Sequence, residues 1–171
     1  MIKGEKIRFD IHNILYSIYR FNKTLNSISI KKIINNHNKE DISFLHHVTL
    51  NSMRFHLHSS KIISKYIRTK IRDREKILLI SAITQIVFLD FKDYAVINCS
   101  VEIAKKLNIY HGLVNAVLKK ISKNKEELKR VNIQFDDLPK WFKNKSNSLT
   151  DNEKKKFLKN FNKEPSLHIV F

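Results

Sequence analysis

Apolar residues in the first half of the chain recur at every third or fourth position, which is the spacing of amphipathic helices. Between residues 5 and 21 this spacing aligns one apolar face, formed by Ile7, Ile11, Ile14, Leu15 and Ile18. The same pattern predicts a shorter helix near 25–34, a third helix from about 41 to 58, and a fourth over 62–71. We therefore expect consecutive helices that bury their apolar faces against one another.

The segment from Ile77 to Leu89 has apolar residues on all sides and so differs from its neighbours. A helix of this kind belongs at the centre of a bundle, where other helices cover every face. Asp73 is expected to be its plain N-cap, because Lys76 occupies the position that a capping box gives to Glu. Two further helices over 94–107 and 111–122 complete an all-α prediction of about seven helices around a central apolar helix.

The later part of the chain is more polar, and we divide the sequence into a helical bundle at 1–125 and a linker or helical appendage at 126–171. In the appendage, LPKWF at 138–142 predicts a short turn or helix with proline at its first position. Thr150 and Glu153 then have the spacing of a capping box before a Lys-rich helix.

The chain carries 33 Lys and Arg residues against 16 Asp and Glu residues, a formal net charge of +17. Such a surplus attracts a polyanion, and nucleic acid is the first candidate. The alternative is compositional bias, because Ile, Asn and Lys are all abundant and lysine accumulates on solvated faces. An even spread of charge over the folded surface would favour that alternative, and with it a protein-interaction module that has no RNA role.

The sequence offers few residues for catalysis or cofactor binding. Two isolated glycines cannot form the glycine-rich turn that a Rossmann-type nucleotide or methyl-donor site needs. Cys99 is the only cysteine, which favours a buried core residue in a reducing, cytoplasmic setting. Surface or packing roles explain His46, His47, His56 and His58 more readily than metal binding does. We expect no catalytic residue, metal, cofactor or membrane association for this chain.

Basic residues are the remaining candidates for a binding site. They cluster at the start of the first helix, at the turn after the fourth helix and at the end of the last bundle helix. From these clusters we predict RNA contacts by Lys3, Lys6, Arg8, Arg68, Arg72, Lys119, Lys120 and Lys123. Lys70 and Arg74 belong to the same turn as Arg68. The alternative is a scatter of solvated charges.

Aromatic residues near the first basic cluster are candidates for stacking on unpaired bases. They are Phe9, Tyr16, Tyr19 and Phe21. Aromatic residues in an amphipathic helix also serve as core, and this alternative stays open at the level of the sequence.

Three stretches of the sequence are similar to NusB-like domains. Residues 112–120, GLVNAVLKK, resemble the G-L-V-N-A-V-L-R-R stretch of that family and are the most specific of the three. Residues 98–106, NCSVEIAKK, resemble its N-E-A-V-E-L-A-K-K helix, and residues 78–89, LLISAITQIVFL, resemble its L-L-R-L-G-A-Y-Q-L-L-F-L helix. The resemblance covers roughly residues 7–123. It implies an RNA-binding helical bundle with contacts from Lys3, Lys6 and Arg8 at the basic start of the first helix.

The sequence after the bundle resembles one branch of that family. LPKWF at 138–142 is similar to the L-P-x-W-L of the bacterial 16S rRNA cytosine-5 methyltransferases called RsmB, Sun or Fmu, and residues 164–167 resemble the run into their catalytic part. This resemblance implies the RNA-binding N-terminal part of such an enzyme, which targets a methyltransferase domain in the same or a longer chain to rRNA. S-adenosylmethionine and the catalytic cysteines would belong to that domain.

The other branch of the family is the free-standing transcription antitermination factor NusB. This alternative implies that the bundle binds RNA together with a protein partner, such as a ribosomal protein. The LPKWF sequence argues against it, because NusB is expected to end soon after the bundle. The sequence leaves open whether the chain is a monomer or a dimer.

Asn115 lies in the middle of the last bundle helix, within the most specific of the three motifs. A polar amide at such a position is commonly buried and hydrogen-bonded to backbone groups. We therefore expect the Asn115 amide to be buried and to tie two helices together.

Overall fold

The computed structural model describes residues 4–161. The chain folds as two compact units, one that reaches Val131 and one that begins at Asn132. Both units are helical, and no strand occurs among residues 4–161, so the all-α prediction is confirmed. Lys3 and residues 164–167 lie outside the described part of the chain.

The first unit consists of seven helices and one additional helical turn within its described residues. The helices are α1 (Glu5–Phe21), α2 (Ile28–Ile34), α3 (Lys39–Arg54), α4 (His56–Tyr66), α5 (Asp73–Ile83), α6 (Asp93–Lys106) and α7 (His111–Lys123), followed by the turn α8 (Lys125–Leu128). Helix α1 has the bounds that its apolar spacing predicts. The helix expected over 41–58 is instead interrupted at Phe55, whose ring stacks on Phe88 with centroids 4.2 Å apart.

Helix α5 is the centre of this unit. It packs against α1, α3, α4, α6 and α7. All residues from Ile77 to Val87 are buried, so the prediction of a central apolar helix is confirmed. Two apolar clusters meet there, because Ile77 belongs to the cluster formed with α1, α2 and α3, while Leu78, Leu79 and Ile83 belong to the cluster formed with α4, α6 and α7.

The central helix continues as a π-helical turn over Thr84–Phe88. The Thr84 hydroxyl donates to the carbonyl of Ile80 at 2.9 Å, and the backbone N–H of Leu89 donates to the carbonyl of Thr84 at 3.0 Å. The Gln85 amide nitrogen donates to the carbonyl of Ser81 at 3.1 Å. These bonds satisfy polar groups that would otherwise be costly to bury, and they form where the sequence predicts only an apolar helix.

Two local predictions are wrong. Arg72, and not Asp73, is the N-cap of α5, because the backbone N–H of Arg72 donates to the carboxylate of Glu75 at 2.9 Å. Glu75 thus supplies the reciprocal bond of a capping box one residue earlier than expected. Asn115 is only partly buried, and its side chain makes no hydrogen bond among the described residues, so it does not tie two helices.

The second unit contains a short 3₁₀ turn (Phe135–Asp137) and two helices, α9 (Lys140–Lys145) and α10 (Asp151–Phe161). Pro139 stands at the N-cap of α9. Thr150 and Glu153 form the capping box that their spacing predicts, since the backbone N–H of Thr150 donates to the Glu153 carboxylate at 2.8 Å and the Glu153 N–H returns a bond of 3.4 Å.

We expect Leu79→Ala to lower the free energy of unfolding by about 2–5 kcal/mol, because it leaves a cavity at a fully buried position of the central helix. Leu50→Ala is the matched control, since Leu50 is 51% exposed. This substitution should lower the free energy of unfolding by no more than about 1 kcal/mol. Urea denaturation followed by circular dichroism measures both. Equal losses in the two variants would contradict the central position of α5.

Candidate nucleic-acid interface

The start of α1 holds two of the predicted RNA contacts in different environments. Lys6 is exposed, and it lines a shallow depression beside the segment between α2 and α3. Arg8 is half-buried, and its Nε donates to the Oε1 of Gln85 at 2.7 Å. Its Nη1 also donates to the carbonyl of Gly4 at 3.2 Å, and the guanidinium lies 5.0 Å from the ring centre of Phe44. Arg8 therefore supports the fold through its contact with the central helix.

Burial around Arg8 also affects the groups next to it. Desolvation lowers the pKa of the Arg8 guanidinium, and the nearby Cys99 partly offsets this effect. Cys99 itself is buried, and burial raises the pKa of its thiol. The position of Cys99 in the core agrees with the sequence prediction for that residue.

Three arginines meet in a groove at the opposite end of α1. The groove has a volume of about 410 Å³ and is lined by Tyr16, Arg20, Arg72, Asp73, Arg74, Leu107, Asn108 and Ile109. We call this surface the arginine groove. The end of α1, the start of α5 and the segment between α6 and α7 each supply part of it.

The charges of the arginine groove are only partly balanced. The Arg20 guanidinium lies 3.9 Å from the Asp73 carboxylate, and both side chains are largely exposed. An exposed pair at this distance contributes little to stability. The Arg74 guanidinium lies 5.3 Å from the ring centre of Tyr16, where the electron-rich face of the ring holds it. Three cationic groups and one anionic group line the groove, so it has a net positive charge.

The segment between α6 and α7 shapes one wall of the groove. Asn108 adopts a left-handed backbone conformation with φ 53°, which asparagine tolerates better than most residues. The backbone N–H of Ile109 donates to the carbonyl of Ala104 at 2.8 Å and closes the end of α6. This turn places Tyr110, whose side chain is 72% exposed, directly after the residues of the wall.

The glycine at position 112 is explained by its close contact with the Tyr110 ring. A Cβ at position 112 would lie 3.1–3.3 Å from ring atoms of Tyr110, which is tighter than ordinary contacts. The absence of a side chain therefore lets the Tyr110 ring rest on the first turn of α7. This contact positions an exposed aromatic ring against α7, on the residue that directly follows Ile109 of the arginine groove.

The loop from Tyr66 to Arg72 has a contact near each end of α7. At one end the Asn124 amide donates to the Tyr66 hydroxyl at 3.3 Å, and at the other end Arg72 shares the groove with Ile109. Arg68 is exposed on this loop.

The lysines predicted on α7 are exposed as well. Lys119, Lys120 and Lys123 lie on the last two turns of the helix, close to the Asn124 contact with Tyr66. Among the described residues, none of the three forms an ion pair. They are therefore available to a ligand that approaches the α7 side of the unit.

The structure brings some of the predicted RNA contacts together and separates others. Arg72 shares the groove with Arg20 and Arg74, whereas Arg68 lies on the loop that precedes Arg72 and the three lysines lie on α7. Lys6 and Arg8 lie near the other end of α1, a helix about 25 Å long. Whether any of these residues contacts RNA stays a prediction.

The aromatic candidates differ in their exposure. Tyr16 lies beneath Arg74, and Tyr19 stacks on His56 with ring centres 4.4 Å apart. Phe9 packs against the core, whereas Phe21 is exposed.

Sequence reasoning missed Arg20 and Tyr110. Arg20 has only Lys23 as a basic neighbour in its stretch of sequence, so no basic cluster indicated it. The sequence did contain an indication of Tyr110, because it lies two residues before Gly112, the first residue of the most specific motif.

No three His, Cys, Asp or Glu residues in the range 4–161 come together as a metal site. No helix in that range is long and apolar enough to cross a membrane.

The first unit is similar to a known protein family. The model of the NusB family matches residues 6–123, which extend from the first turn of α1 to the end of α7. No curated protein matches the chain.

We expect Arg8→Ala to lower the free energy of unfolding by about 1–3 kcal/mol, because it leaves the buried Gln85 without its donor. Lys6→Ala removes a neighbouring exposed charge and should change stability by less than about 0.5 kcal/mol. Chemical denaturation and RNA affinity are measured on both variants. Unchanged stability with weaker RNA binding for Arg8→Ala would assign the guanidinium to the ligand instead of the fold.

The stability of the first unit should fall on acidification because of His12. Burial, and to a lesser degree the charge of Arg74, lowers the pKa of this histidine from 6.5 to about 4. Between these two pKa values the unfolded chain binds a proton that the folded chain does not, so stability is lost as the pH falls through this window. At pH 5 the loss from His12 is about 2 kcal/mol.

The test is the free energy of unfolding at pH 7 and pH 5 for the native chain and for His12→Leu. The difference between the two pH values should shrink in His12→Leu, because leucine does not titrate. His111→Leu, at an exposed position, serves as the control and should leave the difference unchanged. An equal pH dependence in all three proteins would contradict the effect of burial on His12.

Proposed function

Because the chain belongs to the NusB family, we propose that its first unit binds single-stranded RNA through the arginine groove and the adjoining α7 side. The convergence of Arg20, Arg72 and Arg74 in one open groove is the observation that carries the proposal. Guanidinium groups donate paired hydrogen bonds that match the geometry of phosphate oxygens. Phosphate contacts then hold the RNA backbone at the groove.

Tyr110 gives the groove a means to prefer unpaired RNA. Its ring is exposed and rests on Gly112, so a base can stack on it without a rearrangement of α7. Bases inside an RNA duplex are stacked on each other and do not offer their faces to a protein. Stacking on Tyr110 therefore favours loops, bulges and single strands over duplex RNA.

The more specific proposal is that the chain targets a 16S rRNA cytosine-5 methyltransferase to its substrate. Its support is the similarity of LPKWF at 138–142 to the sequence that follows the bundle in these enzymes. In this role the chain binds rRNA in the cytoplasm and performs no chemistry itself. S-adenosylmethionine and the catalytic cysteines belong to a methyltransferase domain, in the same or a longer chain.

A second candidate is a transcription antitermination factor that binds RNA with a protein partner. Its support is the family match over residues 6–123. The two roles differ in their ligands. A targeting domain prefers an rRNA fragment without help, whereas an antitermination factor gains RNA affinity when a ribosomal protein is added.

The experiment measures binding to a 16S rRNA fragment and to an unrelated hairpin over a range of salt concentrations. Arg20→Gln/Arg72→Gln should weaken binding and reduce the slope of log affinity against log salt by about 1.4, if each side chain neutralises one phosphate of a single strand. Lys31→Gln/Lys32→Gln removes the same charge from exposed positions of α2 and is the control. Tyr110→Ala should weaken binding with little change in this slope.

A triple variant, Lys119→Gln/Lys120→Gln/Lys123→Gln, tests whether the interface extends along α7. Equal and weak binding to both RNAs, unchanged in the groove variant, would contradict the proposal and indicate that the charge is incidental. If both double variants weakened binding equally, the interaction would depend on total charge and not on the groove.

A further inference from the structure

The second unit exposes the only tryptophan of the chain. Trp141 is the second residue of α9, and its side chain is 65% exposed. Tryptophan is usually among the most buried residues on average, so this exposure in a small polar unit calls for a physical explanation.

The small core of this unit forms without Trp141. Phe142 stacks on Phe157 with ring centres 5.1 Å apart, and Phe135 lies 6.2 Å from Phe142. Adjacent helical residues point about 100° apart, so the inward position of Phe142 turns Trp141 outward. The edge contact between Trp141 and Phe142, 5.7 Å between ring centres, supports the tryptophan ring from one side and leaves most of it open.

The charges of the second unit are predominantly positive. Residues 132–161 contain seven lysines and four acidic residues. The acidic groups serve local structure: Asp137 accepts from the backbone N–H of Gln134, and Glu153 completes the cap at Thr150. Among the described residues, no ion pair involves Lys140, Lys145, Lys155, Lys156 or Lys159. Two of these, Lys140 and Lys145, belong to the same short helix as Trp141.

We propose that Trp141 is a second RNA-binding site, on which an unpaired base stacks while Lys140 and Lys145 bind the adjacent phosphates. An open aromatic face beside unpaired cations is the combination that binds single-stranded nucleic acid without a sequence preference. Lys140 precedes Trp141 and Lys145 follows it by about one helical turn, which favours a polyanion over an apolar protein partner. The proposal shares its ligand class with the proposed function, but different residues and a different unit carry it.

The test uses the intrinsic fluorescence of Trp141, which reports on this site alone because the chain has no other tryptophan. Titration of the full chain with single-stranded oligouridine should quench the emission, since a stacked base contacts the indole ring. Duplex RNA and inorganic polyphosphate of equal charge should quench it much less. Equal quenching by polyphosphate would overturn the proposal, because charge without a base would then account for the signal.

Affinity for fluorescein-labelled oligouridine, followed by anisotropy, gives the second readout. Trp141→Ala should weaken binding by about 5-fold to 100-fold, and Trp141→Phe by less. Tyr94→Ala is the matched control, because Tyr94 is an aromatic residue of the first unit that is also 65% exposed. Lys140→Gln/Lys145→Gln provides a test that leaves the aromatic core intact, and it should weaken binding and reduce its salt dependence.

The outcomes separate this inference from the proposed function. If Arg20→Gln/Arg72→Gln abolished RNA binding and the native chain showed no tryptophan quenching, the result would support RNA binding by the groove and contradict the proposed Trp141 site. If quenching persisted in the groove variant with unchanged RNA affinity, the result would support the Trp141 site and contradict RNA binding by the groove. A loss of affinity in Trp141→Ala equal to that in Tyr94→Ala would also overturn the inference.

Discussion

Burial of the central helix on all sides is the constraint on which the first unit depends. From Ile77 to Val87 each residue is covered by neighbouring helices, so α1, α3, α4, α6 and α7 are all positioned by one surface. The free energy gained by burying apolar side chains is roughly proportional to the area removed from water. A helix without an exposed face therefore gains the most free energy per residue. The surrounding helices need only one apolar face each, and their other faces are free to carry charge.

Polar groups inside this centre need hydrogen-bond partners. Arg8, one of the predicted RNA contacts, is such a partner. Gln85 donates to the carbonyl of Ser81 and accepts from Arg8, so its buried amide has partners on both atoms. An unsatisfied buried amide would cost as much as several favourable contacts gain. The arginine at the start of α1 therefore has a structural role that its position in a basic cluster does not reveal.

The arginine groove forms where the central helix reaches the surface. Arg72 and Arg74 flank Asp73 at the start of α5, before burial begins at Ile77. The end of α1 brings Arg20 to the same place, and Tyr16 holds Arg74. Side chains that are distant in sequence meet there because the helices that carry them pack on one centre.

The sequence by itself determined the all-α fold, the extent of α1, the central position of α5 and the capping box at Thr150. These features depend on residues close together in the chain, since helical spacing and caps act over three or four positions. The interruption at Phe55, the π-helical turn after Ile83 and the contact of Arg8 with Gln85 were decided by tertiary structure. The first and the last involve partners far apart in sequence, Phe55 with Phe88 and Arg8 with Gln85, and Gln85 lies within the π-helical turn.

The candidate site also has features that the sequence predicts and features that only the tertiary structure shows. Basic clusters identified Arg68, Arg72 and the lysines of α7 as exposed cations, because charge and helical period are local properties. The grouping of Arg72 with Arg20 and Arg74, the separation of Lys6 and Arg8 from them, and the open ring of Tyr110 needed the packed helices. Packing fixes the distances between helix ends, and a one-dimensional pattern contains no information about those distances.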